Sequence, residues 1–475
     1  MDTIWTPDIS NHDGPKYRAV ADALRDGITD GTLLPGEKLP PVRDLAWRLQ
    51  ITPGTVARAY TILTDAGLLE AGVGRGTFVA HAHAHARIVE EAEIPLEIDA
   101  VAHGKEPKGD SYRVNLFSPH LPAVGQSRLI REAFAKIAAD PPSGMMHYPS
   151  QVGSSAAREA VARWLSGASI GSFSADDIVL THGGQNAISM VLQSVLRGRS
   201  PTILVEELCY PGFRRAADLL RANIVPVAMD KEGVIPAALE EAAKTHDAEI
   251  FCTSPEVHNP TGLFTPQHRR EELAKVARRT DMQILEDDCY HMSGQDAPTY
   301  RMIAPDRGWY VSSISKQLTP ALRVGYALAP QGKTSVLRRT AEHSFFGLAT
   351  PICDAIAMVL GDPRIDQVAE DVIGALATYI KSAVNILGGY DLTWRRDVPF
   401  LWLALPPGWR AVSFCQAAEA QGVQVRAGEE FACRDAAAPH AVRMAINAGV
   451  NLSSFEAAMQ RLRVLLDNPP ERISV

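Results

Sequence analysis

The 475-residue sequence lacks the features of an exported, membrane-spanning or disulfide-bonded protein. No run of about 18 apolar residues occurs, and Met1-Asp2-Thr3-Ile4 is not the start of a basic stretch followed by an apolar one. Its six cysteines are scattered without metal-ligand spacing, which is typical of reduced thiols in a chain of this size. We therefore expect a cytoplasmic protein without a membrane segment or a disulfide framework.

Positive charge is scarce as well. The formal net charge is -8, and residues 1–80 carry eight basic and ten acidic side chains. Any contact with nucleic acid must therefore come from a local basic patch, because no global positive field is present. The length of 475 residues suggests about three domains, and the hydrophobic content of 46% is enough to form their cores.

Residues 1–80 have the pattern of a small helical domain that ends in a hairpin. Apolar residues recur at helical spacing from Tyr17 to about Thr29, and PVRDLAWRLQI and TPGTVARAYTILTDAGLL predict two more helices. In the last of these, Thr52 is the expected N-cap and Pro53 the first helical residue. The stretch LLEAGVGRGTFVA after Gly67 alternates like two strands around a glycine-rich tip. Two helices joined by about three residues and followed by a wing predict a winged helix-turn-helix.

Periodicity is lost over residues 81–110, which we interpret as a flexible linker. A chain of about 30 residues has a span of roughly 30 Å, enough to reach a neighbouring subunit. The alternating His81, His83 and His85 could share one face of an extended chain, but no fourth ligand lies near them, so no metal site is predicted. Over residues 111–475, helical patterns alternate with strand-like runs such as PTILVEE, EIFCTS and MQILEDD, which predicts an α/β domain with a mostly parallel sheet.

Four motifs fall where predicted strands end: THGGQNAI, VHNPTG, LEDDCY and SSISKQL. In such a sheet these ends share one edge, where ligands bind. Each motif has an ordinary interpretation by itself: a strand-to-helix turn, a second turn, solvated acids and a surface lysine. Together they offer a phosphate cradle, an acid for a ring nitrogen, a phenol and an amide for a ring hydroxyl, and an amine for a Schiff base. That is the set of groups that pyridoxal phosphate requires.

The order and spacing of these motifs resemble a fold type I aminotransferase across residues 111–475, with a smaller C-terminal α+β subdomain. The resemblance implies that Lys316 forms the internal aldimine with pyridoxal 5'-phosphate, that Asp287 pairs with the pyridine nitrogen, and that Asn259 and Tyr290 contact the ring oxygen. Asp287 is preferred to its acidic neighbours because it precedes Tyr290 by three residues. The remaining cofactor contacts that the resemblance implies are Tyr210 on the ring, Gly184, Gln185, Ser313, Ser315 and Arg323 at the phosphate, and Tyr148 at the phosphate of the partner subunit.

Two arginines late in the chain are candidates for binding an effector. Arg443 in AVRMAIN lies where the resemblance places the arginine that grips a substrate carboxylate, and a structural salt bridge is its alternative role. Arg426 in VQVRAGEEF is the second candidate. Such an arginine favours amines that carry an acidic group.

Residues 36–79 resemble the winged helix of the GntR family. A winged helix joined by a linker to an aminotransferase-like domain resembles the MocR subfamily of pyridoxal-phosphate-sensing transcription regulators. GntR sequences typically have Ser-Arg where this chain has Thr52-Pro53, and a serine in place of Pro41, so one base contact and one phosphate contact are expected to be missing. The DNA contacts implied by the resemblance are Arg43, Thr52, Thr55, Arg58 and, on the wing, Arg75.

The sequence therefore predicts three segments: a DNA-binding domain over residues 1–80, a linker over 81–110, and a cofactor-binding, effector and dimerisation domain over 111–475. The main hypothesis is a homodimeric regulator of double-stranded DNA that senses pyridoxal phosphate, or an amine or amino acid effector, through an aldimine at Lys316. The alternative is an active pyridoxal-phosphate-dependent aminotransferase with an appended winged helix. A third hypothesis is a cofactor-free dimerisation scaffold.

Overall fold

The computed structural model describes residues 5–9, 15–65, 68–72, 76–80, 113–150, 153–290, 292, 294, 296–433 and 438–470. The chain divides into two compact units, Met1–Glu106 and Pro107–Val475. The predicted linker with its three alternating histidines, and the wing residue Arg75, lie outside the described residues. Within the described ranges, no helix is long and apolar enough to cross a membrane.

The first unit is a three-helix domain with a two-stranded hairpin. Its elements are α1 (Lys16–Thr29), α2 (Val42–Arg48), α3 (Pro53–Asp65), β1 (Leu69–Gly72) and β2 (Gly76–Val79), and the two strands pair in antiparallel fashion. Leu24, Leu45 and Leu63 place one side chain from each helix in a common, fully buried core. The Tyr60 hydroxyl donates a 2.8 Å hydrogen bond to the Pro40 carbonyl, which fixes α3 against the turn before α2. The predicted winged helix-turn-helix is confirmed.

The second unit contains two main sheets and the helices that cover them. Its strands are β3 (Val114–Asn115), β4 (Ile178–Thr181), β5 (Thr202–Glu206), β6 (Asn223–Val227), β7 (Met229–Asp230), β8 (Gly233–Val234), β9 (Ile250–Thr253), β10 (Gln283–Asp287), β11 (Gly308–Ser313), β12 (Gly325–Leu328), β13 (Leu392–Thr393), β14 (Phe400–Ala404), β15 (Val423–Gln424), β16 (Arg426–Ala427) and β17 (Ala441–Ala445). Its α-helices are α4 (Gln126–Ala139), α5 (Ser155–Trp164), α6 (Gly184–Val195), α7 (Pro211–Leu220), α8 (Pro236–His246), α9 (Gln267–Arg279), α10 (Tyr300–Ile303), α11 (Thr334–Phe345), α12 (Thr350–Leu360), α13 (Ile365–Leu387), α14 (Ala411–Ala420) and α15 (Leu452–Asp467).

The larger sheet has seven strands in the order β4-β12-β11-β10-β9-β5-β6. Only β12 is antiparallel to its neighbours, so the other strands share one direction. Ile178 and Leu180 of β4 pack into one core cluster and Val179 between them into another, so both faces of this sheet are covered. The mostly parallel α/β sheet predicted from the sequence is confirmed. Its carboxyl edge is the place where β4, β5, β9, β10 and β11 end and β12 begins.

The smaller sheet is antiparallel, in the order β13-β14-β17-β16, and it shares a core with α13, α14 and α15. This is the expected α+β subdomain. The sequence patterns did not identify β3, which pairs in parallel with β15 through Val114 and Val423. A two-residue strand is too short to show a periodicity. The pairing brings the segment around Phe117 close to β16 and β17.

Candidate functional site

Adjacent strands of the larger sheet bring the predicted amine, acid and phenol together. Lys316 ends the short 3₁₀ turn Ile314–Lys316, which directly follows β11. Asp287 is the last residue of β10 and pairs with Val311 of β11. The Lys316 ammonium nitrogen, Nζ, lies 5.4 Å from the centre of the Tyr290 ring. The side chains that the sequence places at one site therefore do lie at one edge of the sheet.

Asp287 is a buried carboxyl group without a basic partner among the described ion pairs. Its side chain is 8% exposed, and burial raises its pKa to about 6, with the carboxyl groups of Asp288 and Glu206 acting in the same direction. Hydrogen bonding from Cys289 opposes this rise, and the Cys289 backbone N–H lies 3.1 Å from Oδ1 of Asp287. A cation placed next to Asp287 would favour its ionised form.

The two acids beside Asp287 already have partners in the protein. Glu286 accepts a 2.6 Å hydrogen bond from the Tyr300 backbone N–H and lies 3.6 Å from the Arg270 guanidinium. Asp288 accepts a 2.7 Å hydrogen bond from the Tyr310 hydroxyl. These contacts support the choice of Asp287 as the acid that faces a ligand.

Two glycines at the amino terminus of α6 allow other side chains to come close to its backbone. Gly183 has φ of +82°, and a Cβ atom there would lie 2.7 Å from the Arg323 guanidinium. At Gly184, a Cβ atom would lie 2.5 Å from the Cys289 sulfur and 3.9 Å from the Ser313 hydroxyl oxygen. The glycines thus let Arg323 and Ser313 come near the free backbone N–H groups of the helix start, an arrangement that suits a phosphate.

Three predicted cofactor residues carry buried polar atoms that have no hydrogen-bond partner among the described residues. These atoms are Nδ2 of Asn259, Oγ of Ser315 and Oε1 of Gln185. The other end of the Gln185 amide is held, because Nε2 donates a 2.9 Å hydrogen bond to the Gly212 carbonyl. Buried polar groups are nearly always paired, so these three atoms, on residues that the sequence assigns to the cofactor, are available to a polar ligand.

Arg443 on β17 contacts the oxygen of the Asn259 side-chain amide, whereas the nitrogen of that amide is the unpaired atom. Arg443 is 4% exposed, and its Nη1 donates a 2.9 Å hydrogen bond to Oδ1 of Asn259. Its Nη2 donates to the Phe117 carbonyl, and its guanidinium lies 5.4 Å and 5.0 Å from the ring centres of Phe400 and Phe431. Burial lowers the pKa of Arg443. Asn259 therefore links the candidate anion site to the candidate cofactor site.

Arg426 on β16 is opposite Arg443 in the sheet register. Its Nη1 lies 2.6 Å from a carboxylate oxygen of Glu430, and its Nε donates a 3.2 Å hydrogen bond to the Phe117 carbonyl. Its guanidinium also lies 4.9 Å from the centre of the Phe117 ring. The second effector candidate is thus next to the first but already forms an ion pair.

The two remaining tyrosines differ in where they lie. Tyr210 follows β5 at the carboxyl edge, and burial raises its pKa above the usual range. Tyr148 is 84% exposed, and its ring centre lies 6.0 Å from that of Phe346. Its predicted role at the phosphate of the partner subunit remains a prediction.

His258 is a site residue that the sequence reasoning missed. Its ring nitrogens lie 2.6 Å from the Thr261 hydroxyl oxygen and 2.8 Å from the Leu208 carbonyl. Burial lowers its pKa to about 4, so the ring is neutral at pH 7. The histidine fixes the turn that presents Asn259. A polar residue directly before Asn259 in VHNPTG was the available signal, whereas nothing in the sequence pointed to Phe117.

The predicted DNA contacts lie on α2 and at the start of α3. Arg43 and Arg58 are exposed, and the Arg58 guanidinium lies 4.1 Å from the centre of the Tyr17 ring. The hydroxyl oxygens of Thr52 and Thr55 are 2.9 Å apart. A guanidinium stacked on an aromatic ring is held in place and still able to donate hydrogen bonds.

Comparisons with known proteins agree with both units. The profile described as aminotransferase class I and II matches residues 122–462, and that of bacterial regulatory proteins, gntR family, matches residues 16–79. The HTH-type transcriptional regulator YdeF of Bacillus subtilis (strain 168) is 28% identical over 98% of this chain and 97% of its own. The vitamin B6 salvage pathway transcriptional repressor PtsJ of Salmonella typhimurium is 27% identical over 92% of this chain and 95% of its own.

Among solved structures, an archaeal alanine:glyoxylate aminotransferase matches with a TM-score of 0.67 and 22% identity, over 78% of this chain and 93% of its own. At that identity the match shows the fold of the second unit. The aminotransferase profile covers more than half of the chain, and the gntR profile covers the helices and strands of the first unit. The chain therefore belongs to the aminotransferase class I and II family and joins that domain to a GntR winged helix, the combination found in the MocR subfamily of transcription regulators.

Proposed function

We propose that this protein is a homodimeric, cytoplasmic transcription regulator that binds an operator in double-stranded DNA and holds pyridoxal phosphate at Lys316. Its signal is the cofactor itself or an amine or amino acid that reacts with it. The observation that carries the proposal is the set of three unpaired buried polar atoms, on Asn259, Ser315 and Gln185, in a chain that also carries a winged helix.

The residues present fit this cofactor. When bound, the cofactor supplies an aldehyde carbon that a primary amine can attack, and Lys316 is the amine at the site. Asp287 would accept a hydrogen bond from the protonated ring nitrogen, and its ionised form is favoured by that positive charge. Asn259 would donate through Nδ2 to the ring oxygen. The Ser315 hydroxyl and the Arg323 guanidinium would hold the phosphate, together with the start of α6.

A dimer is supported by the surface of the second unit. Met146, Tyr148 and Phe346 are 91%, 84% and 70% exposed, and such a group of large apolar side chains usually marks an interface. Two winged helices in one dimer would read two half-sites. Sedimentation of the full-length protein tests this directly, and a monomer at micromolar concentration would contradict it.

A working aminotransferase is the second candidate, because Lys316, Asp287, Tyr290 and Arg443 are all present. The regulator is favoured by the winged helix, and by the similarity to PtsJ, whose name connects that protein with vitamin B6. Sustained formation of keto acid from amino donors and 2-oxoglutarate would favour the enzyme. A single, stoichiometric reaction with the amine would favour the sensor.

Absorption spectroscopy tests the cofactor site. Lys316→Ala should abolish the visible absorption that the full-length protein acquires with pyridoxal phosphate. Lys333→Ala is the matched control, because Lys333 is another half-buried lysine, whose Nζ donates a 2.8 Å hydrogen bond to Gln283 at the start of β10, away from the carboxyl edge. Equal absorption in wild type and Lys316→Ala would refute the assignment of Lys316.

A further inference from the structure

Arg426 and Arg443 form a pair of neighbouring guanidinium groups. They are directly opposite each other on antiparallel strands, so their side chains leave the same face of the smaller sheet. Both also donate to one acceptor, the Phe117 carbonyl oxygen. An anion held by Arg443 would therefore lie close to Arg426.

The positive charge of Arg443 has no carboxylate in direct contact with it. Its hydrogen bonds go to neutral groups, the Asn259 amide, the Phe117 carbonyl and the Tyr290 side chain, and none of the described acidic side chains forms an ion pair with it. Burial lowers the pKa of Arg443, and the Glu430 carboxylate, which pairs with Arg426, opposes this lowering without touching Arg443. Arg443 is buried, at 4% exposure, yet its Nε has no hydrogen-bond partner among the described residues. A buried charge without an opposite charge in direct contact is unfavourable, so one negative charge from a ligand would stabilise this end of the site.

The positive charge of Arg426 is balanced already. One carboxylate oxygen of Glu430 lies 2.6 Å from Nη1 of Arg426, and the other accepts a 3.2 Å hydrogen bond from the Ala427 backbone N–H. The second bond holds the carboxylate in place next to the arginine. A second negative charge on a ligand at this pair would therefore lie near the Glu430 carboxylate and be repelled by it.

We propose that Arg443 and Arg426 together select the effector by its charge. The site binds a primary amine that carries a single carboxylate, and Glu430 discriminates against dicarboxylic amino acids. Glu430 is a specificity-determining residue that acts through Arg426. The inference rests on the proposed function, because it concerns the amine that reaches the cofactor at Lys316. Its structural basis is the contrast between one unbalanced and one balanced guanidinium, side by side.

The test uses cofactor-loaded, full-length protein and matched amino acids that differ by one carboxylate. L-2-aminobutyrate is compared with L-aspartate, and L-norvaline with L-glutamate. For each amino acid, the concentration that gives half of the full change in the visible absorption of the cofactor is measured, and the ratio of the dicarboxylic to the monocarboxylic value is calculated. In wild type, the dicarboxylic member of each pair should bind more weakly by about fivefold or more, the size expected for one pair of like charges at a partly exposed position.

Two variants should move this ratio in opposite directions. Glu430→Gln keeps the hydrogen-bond acceptor but removes the charge, so the ratio should fall at least about fivefold, a change of about 1 kcal/mol. Arg426→Gln leaves Glu430 unbalanced, so the ratio should rise. Glu429→Gln makes the same charge change at the neighbouring residue, which is exposed like Glu430 but forms no ion pair with Arg426 among the described contacts, and it should leave the ratio as in wild type.

The outcomes separate this inference from the proposed function. If wild type acquires no visible absorption with pyridoxal phosphate, the proposed function fails. If the absorption is present but dicarboxylic and monocarboxylic partners bind equally, or no member of either pair perturbs it, the effector class is wrong. If Glu429→Gln changes the ratio as much as Glu430→Gln does, the effect is one of general charge, and the role of Glu430 is refuted.

Discussion

Replacing Asp287 by asparagine should stabilise the cofactor-free protein and weaken its response to the cofactor. The carboxyl group is buried, and burial raises its pKa from the ordinary 3.8 to about 6. Asparagine keeps an oxygen that can accept the hydrogen bond from the Cys289 backbone N–H but carries no charge. The substitution therefore removes the unfavourable burial of a charge without opening a cavity.

The magnitude follows from the pKa. Each pKa unit is worth about 1.4 kcal/mol, so the difference between 3.8 and about 6 corresponds to about 3 kcal/mol. Because the folded-state pKa lies above the unfolded one, this group reduces stability as the pH rises from 3.8 to about 6, and the full cost is present above pH 6. With an unfolding entropy of about 2.1 cal/mol/K per residue over the unit Pro107–Val475, 3 kcal/mol corresponds to about 4 °C in Tm.

The assay is thermal unfolding of stripped and cofactor-loaded protein at pH 4 and pH 8. Stripped Asp287→Asn should unfold at a higher temperature than stripped wild type at pH 8, by up to about 4 °C, and the gap should shrink at pH 4. Saturating pyridoxal phosphate should raise the Tm of wild type more than that of the variant, because only the carboxylate gains a charged partner. A stripped variant that is less stable at pH 8, or equal stabilisation of both proteins by the cofactor, would refute the assignment.

Three further predictions test other parts of the site and the winged helix. Ser315→Ala should lower the affinity for pyridoxal phosphate by about 1–3 kcal/mol and leave that for pyridoxal, which lacks the phosphate, unchanged; fluorescence titration measures both, and equal losses would contradict a phosphate contact. Arg58→Ala should weaken operator binding without changing cofactor affinity, and it should reduce by about 1 the slope of log affinity for DNA against log salt concentration. Thr61→Ala, at an exposed residue of the same helix, is the control. An unchanged slope would exclude a phosphate contact by Arg58. Burial lowers the pKa of His258 to about 4, so the stability that this group contributes is present above pH 6.5 and is lost as the pH falls toward 4, by about 3 kcal/mol in all. His258→Gln should therefore flatten the fall in Tm between pH 7 and pH 5. An equally steep fall in the variant would show that other groups cause it.

The sequence predicted the edge of the sheet where the site lies, because each motif follows an apolar strand and parallel strands end together. It could not show by alternation alone which of three consecutive acids faces the ligand. The structure supplies the physical reason. Glu286 contacts the Arg270 guanidinium and the Tyr300 backbone N–H, whereas Asp287, among the described contacts, accepts hydrogen bonds only from nearby Cys289. Local patterns carry no information on such partners, which are distant in sequence.

The effector end of the site adds a local case and a distant one. The sequence indicated both Arg426 and Arg443, and the ion pair of Arg426 with Glu430 joins residues only four positions apart, but it forms only because β16 leads into the turn after it. Phe117 reaches the two arginines because β3 pairs with β15, a contact that joins residues about 300 positions apart along the chain. Contacts of this kind become visible only in the folded chain.

We propose that the cofactor site controls DNA binding, and operator affinity with and without the cofactor tests this claim. Fluorescence anisotropy of DNA from immediately upstream of the gene for this protein is titrated with cofactor-loaded and cofactor-stripped protein at one fixed salt concentration. We expect the two forms to differ in affinity, and we expect Lys316→Ala to behave like the stripped form in both preparations. Tight binding that is indifferent to both the cofactor and Lys316 would contradict the claim.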